Sequence, residues 1–224
     1  MLPRVVLHNE VSLDGRFDWV TPDLGQFYEL ASRWKEDATL AGSETLLSAY
    51  PEEQLSADDM EGAQPPEKNP DDTRPLLVVP DSRGRLRSWH LLRKEPYWRD
   101  VVALCSRSTP EAYLDYLSER HVEYVVAGDD HVDLRAALEE LNARYGVLTV
   151  RVDGGGSLNG ALLRAGLVDE VSLLIDPCLV GGTTPRSVFQ AADLNSSDSV
   201  IQLRLVHFEK VKGDVVWLRY EVVK

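Results

Sequence analysis

Asp153, Gly154, Gly155, Gly156 and Ser157 follow the apolar run Leu148 to Val152 and precede a leucine-rich segment. A strand that feeds a glycine turn and then a helix leaves backbone N–H groups without intrahelical acceptors. Glycines, lacking Cβ atoms, let an anion approach those groups. The chemistry this pattern supports is phosphate or pyrophosphate binding, although three glycines alone also serve as a plain tight turn. Two further strand ends carry basic and hydroxyl groups: Asp81, Ser82 and Arg83 after Leu76 to Val79, and Ser106, Arg107 and Ser108 after Val101 to Cys105. A fourth, Gly42 to Thr45, is another glycine turn opening a short helix. Arginine and hydroxyls at a helix start favour a phosphate group, and the same arginines could equally be solvated surface charges.

These turns must be held by an alternation of strands and helices. Pro3 to Ser12, Asp37 to Ala41, Leu76 to Val79, Val101 to Cys105, Val122 to Ala127, Leu148 to Val152 and Glu170 to Ile175 read as strands. Between them lie helical patterns. Thr21 is the expected cap of a helix opening at Pro22, and Pro110 to Leu117 is expected to carry hydroxyl caps. Leu134 to Tyr145 is a third. The glycine turn opens a fourth, with Leu158, Leu162, Leu163 and Leu167 on one apolar face. Val200 to Glu209 and Val215 to Val222 alternate around Lys212 to Asp214, which predicts an antiparallel hairpin. The fold class is α/β, with a mainly parallel central sheet flanked by helices and a C-terminal antiparallel hairpin, in a single domain over 1–224. Pro51 to Pro75, acidic and proline-rich, is expected as a long polar loop, either a surface insertion or a lid.

Composition narrows the function. A formal net charge of −13 excludes a general nucleic-acid or anionic-membrane surface. The chain contains no apolar run of membrane-spanning length, and a cytoplasmic location is expected. Cys105 and Cys178 each sit in an apolar run and are expected in the core. The histidines are dispersed, so no structural metal is expected. In open α/β sheets ligands gather at the carboxyl ends of parallel strands, which places all four turns on one expected groove. Two separate anion sites suit a dinucleotide with an extra 2′-phosphate, NADPH. Hydride transfer asks little catalytic apparatus of the protein, and this chain has no nucleophile elbow, Walker loop or zinc deaminase pattern.

VSLDGR at Val11 to Arg16, DATLAGSET at Asp37 to Thr45, PLLVVPDS at Pro75 to Ser82 and VDGGGSLNGALLRAGLVDEVSLLIDPCLVGG at Val152 to Gly182 resemble, in order and spacing, the reductase domain of riboflavin biosynthesis. That family has a dihydrofolate reductase-like fold. The resemblance implies an NADPH-dependent reductase that opens the ribose of a phosphoribosylamino-pyrimidine and reduces C1′. It implies cofactor contacts at Thr45, Asp81, Ser82, Arg83, Asp153, Gly154, Gly155 and Gly156, with Gly42 in the same turn as Thr45. By likeness to dihydrofolate reductases, Ser106 and Arg107 would grip the 2′-phosphate. The pyrophosphate would lie near Gly154 to Ser157 and the nicotinamide near Asn9, Ser12 and Asp14. Asn9, Ser12 and Asp153 are then the expected substrate contacts. Asp14 would orient the substrate and relay a proton, or simply serve as the turn residue before Gly15. Family members are commonly dimers, so a homodimer is expected. Two other readings stay open: a same-fold reductase of another small molecule such as a pteridine, favoured by Tyr50 and Asp153, and a non-catalytic nucleotide-binding protein.

Overall fold

Runs of aliphatic and β-branched residues become strands β1 (Arg4–Ser12), β2 (Ala38–Ala41), β3 (Leu76–Pro80), β4 (Asp100–Cys105), β5 (Glu123–Val126), β6 (Thr149–Asp153), β7 (Glu170–Asp176), β8 (Leu203–Lys210) and β9 (Val216–Val222). Helices among the described residues are α1 (Leu24–Ala31), α2 (Ser43–Ala49), α3 (Trp89–Lys94), α4 (Glu111–Glu119), α5 (Leu134–Tyr145) and α6 (Gly156–Arg164). The computed structural model describes residues 1–51, 69, 71–183 and 186–224. Most of the expected polar loop at Pro51 to Pro75 therefore lies outside the described residues. The chain divides into one unit of Met1–Pro3 with Asp37–Leu148 and another of Arg4–Glu36 with Thr149–Lys224.

In the first unit the strands run parallel in the order β5-β4-β3-β2, with Leu76 opposite both Ala38 and Asp100. Strands covered on both faces need apolar residues throughout, as β2 and β3 show. One face packs Leu77, Val79, Val101, Ala103 and Cys105 against Leu86, Trp89, Leu92, Tyr113 and Leu117. The Trp89 indole N–H donates to Tyr113 Oη (3.0 Å), whose hydroxyl lies 3.1 Å from Asp81 Oδ2. The core thus buries its polar atoms in a chain that ends at the β3 turn.

In the second unit β6, β1 and β7 are parallel, and β9 and β8 continue the order antiparallel, so the expected hairpin is present. Val6, Phe27, Ala31, Trp34, Leu174, Val215 and Trp217 form its core on the α1 side. His8 is wholly buried there between Phe27 and Trp34. Burial holds its pKa down to about 3, so the ring is neutral. Its Nε2 faces the Phe27 carbonyl (3.2 Å) and must carry the hydrogen. Nδ1 therefore accepts from Ser172 Oγ (3.0 Å), which itself accepts from the Trp217 indole (2.8 Å). Glu170, 1% exposed, is neutralised by Arg4 at 2.5 Å and Arg219 at 2.6 Å.

Several local expectations are corrected. Asp23, not Thr21, caps α1, its carboxylate accepting from the Gln26 N–H. Pro110 precedes α4 without any side-chain cap. Short α3 was not anticipated. Cys105 is buried as expected, but Cys178 is exposed because β7 ends at Asp176, two residues before it. On α6 the buried positions are Gly156, Asn159, Gly160 and Leu162, not the full leucine stripe. The segment around Ser187 to Gln190 lies directly on the helix backbone at the two glycines. No helix among the described residues is long and apolar enough to cross a membrane.

Candidate functional site

The glycine turn is where a strand ends and a helix begins: Gly155, at φ −76° and ψ 175°, occupies the cap position of α6. Its three glycines have different reasons to be glycine. A Cβ on Gly154 would lie 2.8 Å from Leu158 Cδ2, and one on Gly156 would lie 2.1 Å from the Ser187 carbonyl oxygen. Gly155 alone of the three has nothing within 4 Å of that position. Gly154 and Gly156 are thus packing glycines, and Gly155 is the open face of the turn. The helix's first N–H groups and positive dipole end lie beside it. An oxyanion fits there.

Behind the turn, the Asn9 amide N–H donates to the Gly154 carbonyl at 3.1 Å, and Asn9 Oδ1 accepts from Asn159 Nδ2 at 2.9 Å. Asn159 also donates to the Val188 carbonyl at 3.0 Å. Asn9 is 3% exposed. Its amide braces the turn. Asn159 was overlooked because a single polar residue in an apolar helix gives no hint of a partner on β1.

Ser12 and Asp14 are likewise committed. Ser12 is fully buried, its hydroxyl donating to Asp14 Oδ1 at 2.7 Å and accepting from the Arg16 N–H at 2.9 Å. Asp14 accepts from the Val180 N–H at 3.0 Å and the Gly181 N–H at 2.7 Å. These bonds, the Ser12 hydroxyl first, hold the Asp14 carboxyl down at about 2. A carboxylate so firmly ionised is a loop anchor and a poor proton donor near neutral pH. Ser12 and Asp14 tie the turn after β1 to the strand-end segment after β7.

Asp153 is half-buried, with Oδ2 at 3.4 Å from Arg151 Nη1. Arg151 is 4% exposed and donates to Glu36 Oε1 at 2.7 Å. A buried guanidinium needs such partners, and it fixes the Asp153 carboxylate beside the glycine turn. Neither Arg151 nor Glu36 was singled out from the sequence, since their pairing spans more than a hundred residues. The Ser157 hydroxyl donates to Gln190 Oε1 at 2.8 Å on the exposed side of α6.

In the first unit, the expected residues after β3 and β4 do come together. Asp81 is 2% exposed and accepts from the N–H groups of Arg85 (2.7 Å) and Leu86 (2.8 Å). Through Oδ2 it shapes the turn from beneath. Ser82 Oγ accepts from the Val132 N–H at 3.1 Å, and its carbonyl accepts from Thr109 Oγ1 at 3.0 Å. Ser106 is buried, its Oγ 3.1 Å from Ser108 Oγ. Arg83 is exposed, with no ion-pair partner among the described residues, and Arg107 is exposed and paired with Asp129. Gly42 caps α2, and Thr45 sits exposed in its first turn. Arg83 and Arg107 are thus the cations this turn cluster offers to a phosphate.

Asp129, unnoticed in the sequence, competes with any phosphate for Arg107. An exposed ion pair contributes about 0–1 kcal/mol, so a dianionic phosphate can displace it. Asp129→Asn is therefore expected to tighten binding of a phosphate monoester at this cluster by about threefold, and Arg107→Ala to weaken it by about tenfold. Titration of both variants with 2′-AMP and with adenosine checks this, and equal effects on adenosine would remove Arg107 from a phosphate site.

The model of the RibD C-terminal domain family matches residues 3–217. A relative from Methanothermobacter thermautotrophicus, 2,5-diamino-6-ribosylamino-4(3H)-pyrimidinone 5′-phosphate reductase, is 30% identical over 225 residues, covering 96% of this chain and 97% of its own. A protein of the same name from Aquifex aeolicus is 28% identical over 233 residues, covering 99% and 97%. Among solved structures, Acinetobacter baumannii RibD superposes with a TM-score of 0.71 at 21% identity. That match covers 99% of this chain and 58% of the longer RibD chain, and it bears on the fold alone.

Proposed function

Because the chain belongs to the RibD C-terminal domain family, we propose that it is an NADPH-dependent reductase of the pyrimidine branch of riboflavin biosynthesis. Its substrate would be 2,5-diamino-6-ribosylamino-4(3H)-pyrimidinone 5′-phosphate and its product the ribitylamino compound. The observation that carries this reading is the open Gly155 at the cap of α6, with Gly154 and Gly156 packed on either side. Similarity to named reductases along nearly the whole chain supports the same reaction. The family match runs through both units, which supports a single functional domain over 1–224.

When bound, NADPH would supply two electrons and a hydrogen to the sugar's C1′. The protein's part is binding and orientation. The Gly155 turn and the start of α6 would receive the pyrophosphate. Arg107, Arg83 and the hydroxyl of Ser82 would receive the 2′-phosphate, the buried Ser106 would shape the turn behind them, and Thr45 at the first turn of α2 would add a hydroxyl. Asp153, held by Arg151, is the substrate contact of this reading, an acceptor for sugar hydroxyls or ring amino groups.

The enzyme would be cytoplasmic and homodimeric. Edge strand β8 exposes Leu203, Leu205, Val206 and Phe208, an apolar edge of the kind proteins cover with a partner. Incubation with the phosphoribosylamino-pyrimidine and NADPH should consume the nucleotide and yield the ribityl product by mass spectrometry. Light scattering should give twice the chain mass. NADPH consumption with a pteridine but not with the pyrimidine would transfer the reading to another small molecule, and a monomeric mass would remove the dimer.

A further inference from the structure

At the carboxyl ends of β1 and β7, in parallel register, Glu10 faces Leu174 and Ser12 faces Asp176. Side chains alternate along a strand, so Glu10, Ser12 and Asp176 share the α1 side with His8, whose ring contacts Phe27 of α1. Glu10 is 5% exposed, and its Oε2 is buried without a hydrogen-bond partner among the described residues. Asp176 Oδ2 is buried in the same condition, while the rest of Asp176 reaches the surface. Glu10 and Asp176 are therefore diagonal neighbours on one face of the β1–β7 pair.

Buried acids are usually satisfied, and none of the contacts described above uses these two. We propose that Glu10 and Asp176 hold one proton between them and that Glu10 delivers it to the substrate oxygen freed when the sugar ring opens, an inference that rests on the reductase reading above. The C1′–O4′ bond breaks with its electron pair on O4′, and the exocyclic nitrogen forms a C1′=N bond. C1′ then gains two electrons and a hydrogen from NADPH, which is oxidised. The Glu10 proton goes to O4′, and the pair regains one from water at the exposed side of Asp176. Substrate, NADPH and one proton become the ribityl product and NADP⁺.

The surroundings favour a retained proton. Burial first, and then the Asp176 carboxylate, push Glu10 up to about 7, and Asp176 is also raised, chiefly by burial. Asp23 at the start of α1 adds negative charge, partly offset by its ion pair with Lys212 at 2.9 Å. His8 is neutral, Asp14 is fixed as an anion by its own loop, and Asp153 is paired with Arg151. Two carboxyls in such a place titrate as a unit, and a raised acid is a competent donor near neutral pH.

The test combines titration of the protein's carboxyl groups by ¹³C NMR, without nucleotide, with the pH dependence of turnover. Wild-type protein should show one carboxyl titrating near neutral pH. Its kcat should fall about tenfold per pH unit above that point. Glu10→Gln should lower kcat by about 100-fold or more, lose that alkaline limb and retain NADPH affinity, which reports that the variant is folded. Asp176→Asn should move both the NMR titration and the alkaline limb to lower pH together. Turnover with both carboxyls titrating in the ordinary acid range, or Glu10→Gln keeping most of its rate, would overturn the proton role and leave the reductase reading intact. A pair that titrates near neutrality in a protein that reduces no pyrimidine would overturn the reductase reading and proton delivery with it.

Discussion

Gly155→Asp is expected to weaken NADPH binding by about 100-fold, close to 3 kcal/mol, without lowering stability. The two halves of this result have separate causes. Gly155 has ordinary extended backbone angles and open space at its Cβ position, so a side chain meets no obstacle there. Aspartate is moreover a favoured helix cap, able to accept from the N–H groups at the start of α6. A carboxylate in that position takes up the same donors a pyrophosphate would use and repels its charge. Nucleotide titration and urea unfolding of one variant read both effects. Unchanged NADPH affinity would move the pyrophosphate away from this turn.

Gly160→Val should do the reverse, costing about 3 kcal/mol of stability through overpacking. A Cβ at Gly160 would lie 1.8 Å from the Gln190 carbonyl oxygen and 2.6 Å from its carbon. Backbone cannot swing aside as a flexible side chain can. The segment held by the Gln190 N–H bond to the Gly156 carbonyl (3.0 Å) and by Asn159 on Val188 must therefore lift from α6. Because that segment also covers the glycine turn, nucleotide binding should weaken as a secondary effect. A midpoint of urea unfolding within error of wild type would show that the segment does not rest on the helix as described.

The contrast between these glycines explains what the sequence could reveal. A strand, a glycine run and an amphipathic helix are local patterns, and the turn at Gly154 to Gly156 was legible for that reason. So were the parallel strands and the closing hairpin. That Gly156 and Gly160 are packed depends on Ser187 and Gln190, some thirty residues on, and no local pattern carries that.

Asn9, Ser12 and Asp14 were legible as polar groups at a strand end. Their partners at Gly154, Asn159, Val180 and Gly181 are distant in sequence, so their bracing role was not legible there. Glu10 was passed over because a glutamate near a strand end reads as solvated, and only the pairing of β1 with β7 brings Asp176 beside it. Arg151 sat in an apolar run and drew no attention, because its counter-ion Glu36 belongs to the turn before β2. Thr21 was a reasonable cap with Pro22 behind it. Asp23 won because its carboxylate both accepts from Gln26 and pairs with Lys212 of the C-terminal hairpin, a tertiary contact that overrides local preference.

The central claim is that this chain binds NADPH, with the Gly155 turn as the pyrophosphate site, and uses it as a reductant. Fluorescence titration of nucleotide-free protein with NADPH and with NADH tests it most directly. The expected result is NADPH binding of micromolar order, near −8 kcal/mol, with NADH weaker by about tenfold. Binding of neither nucleotide, in protein shown to be folded, would contradict the cofactor site and the reductase function built on it.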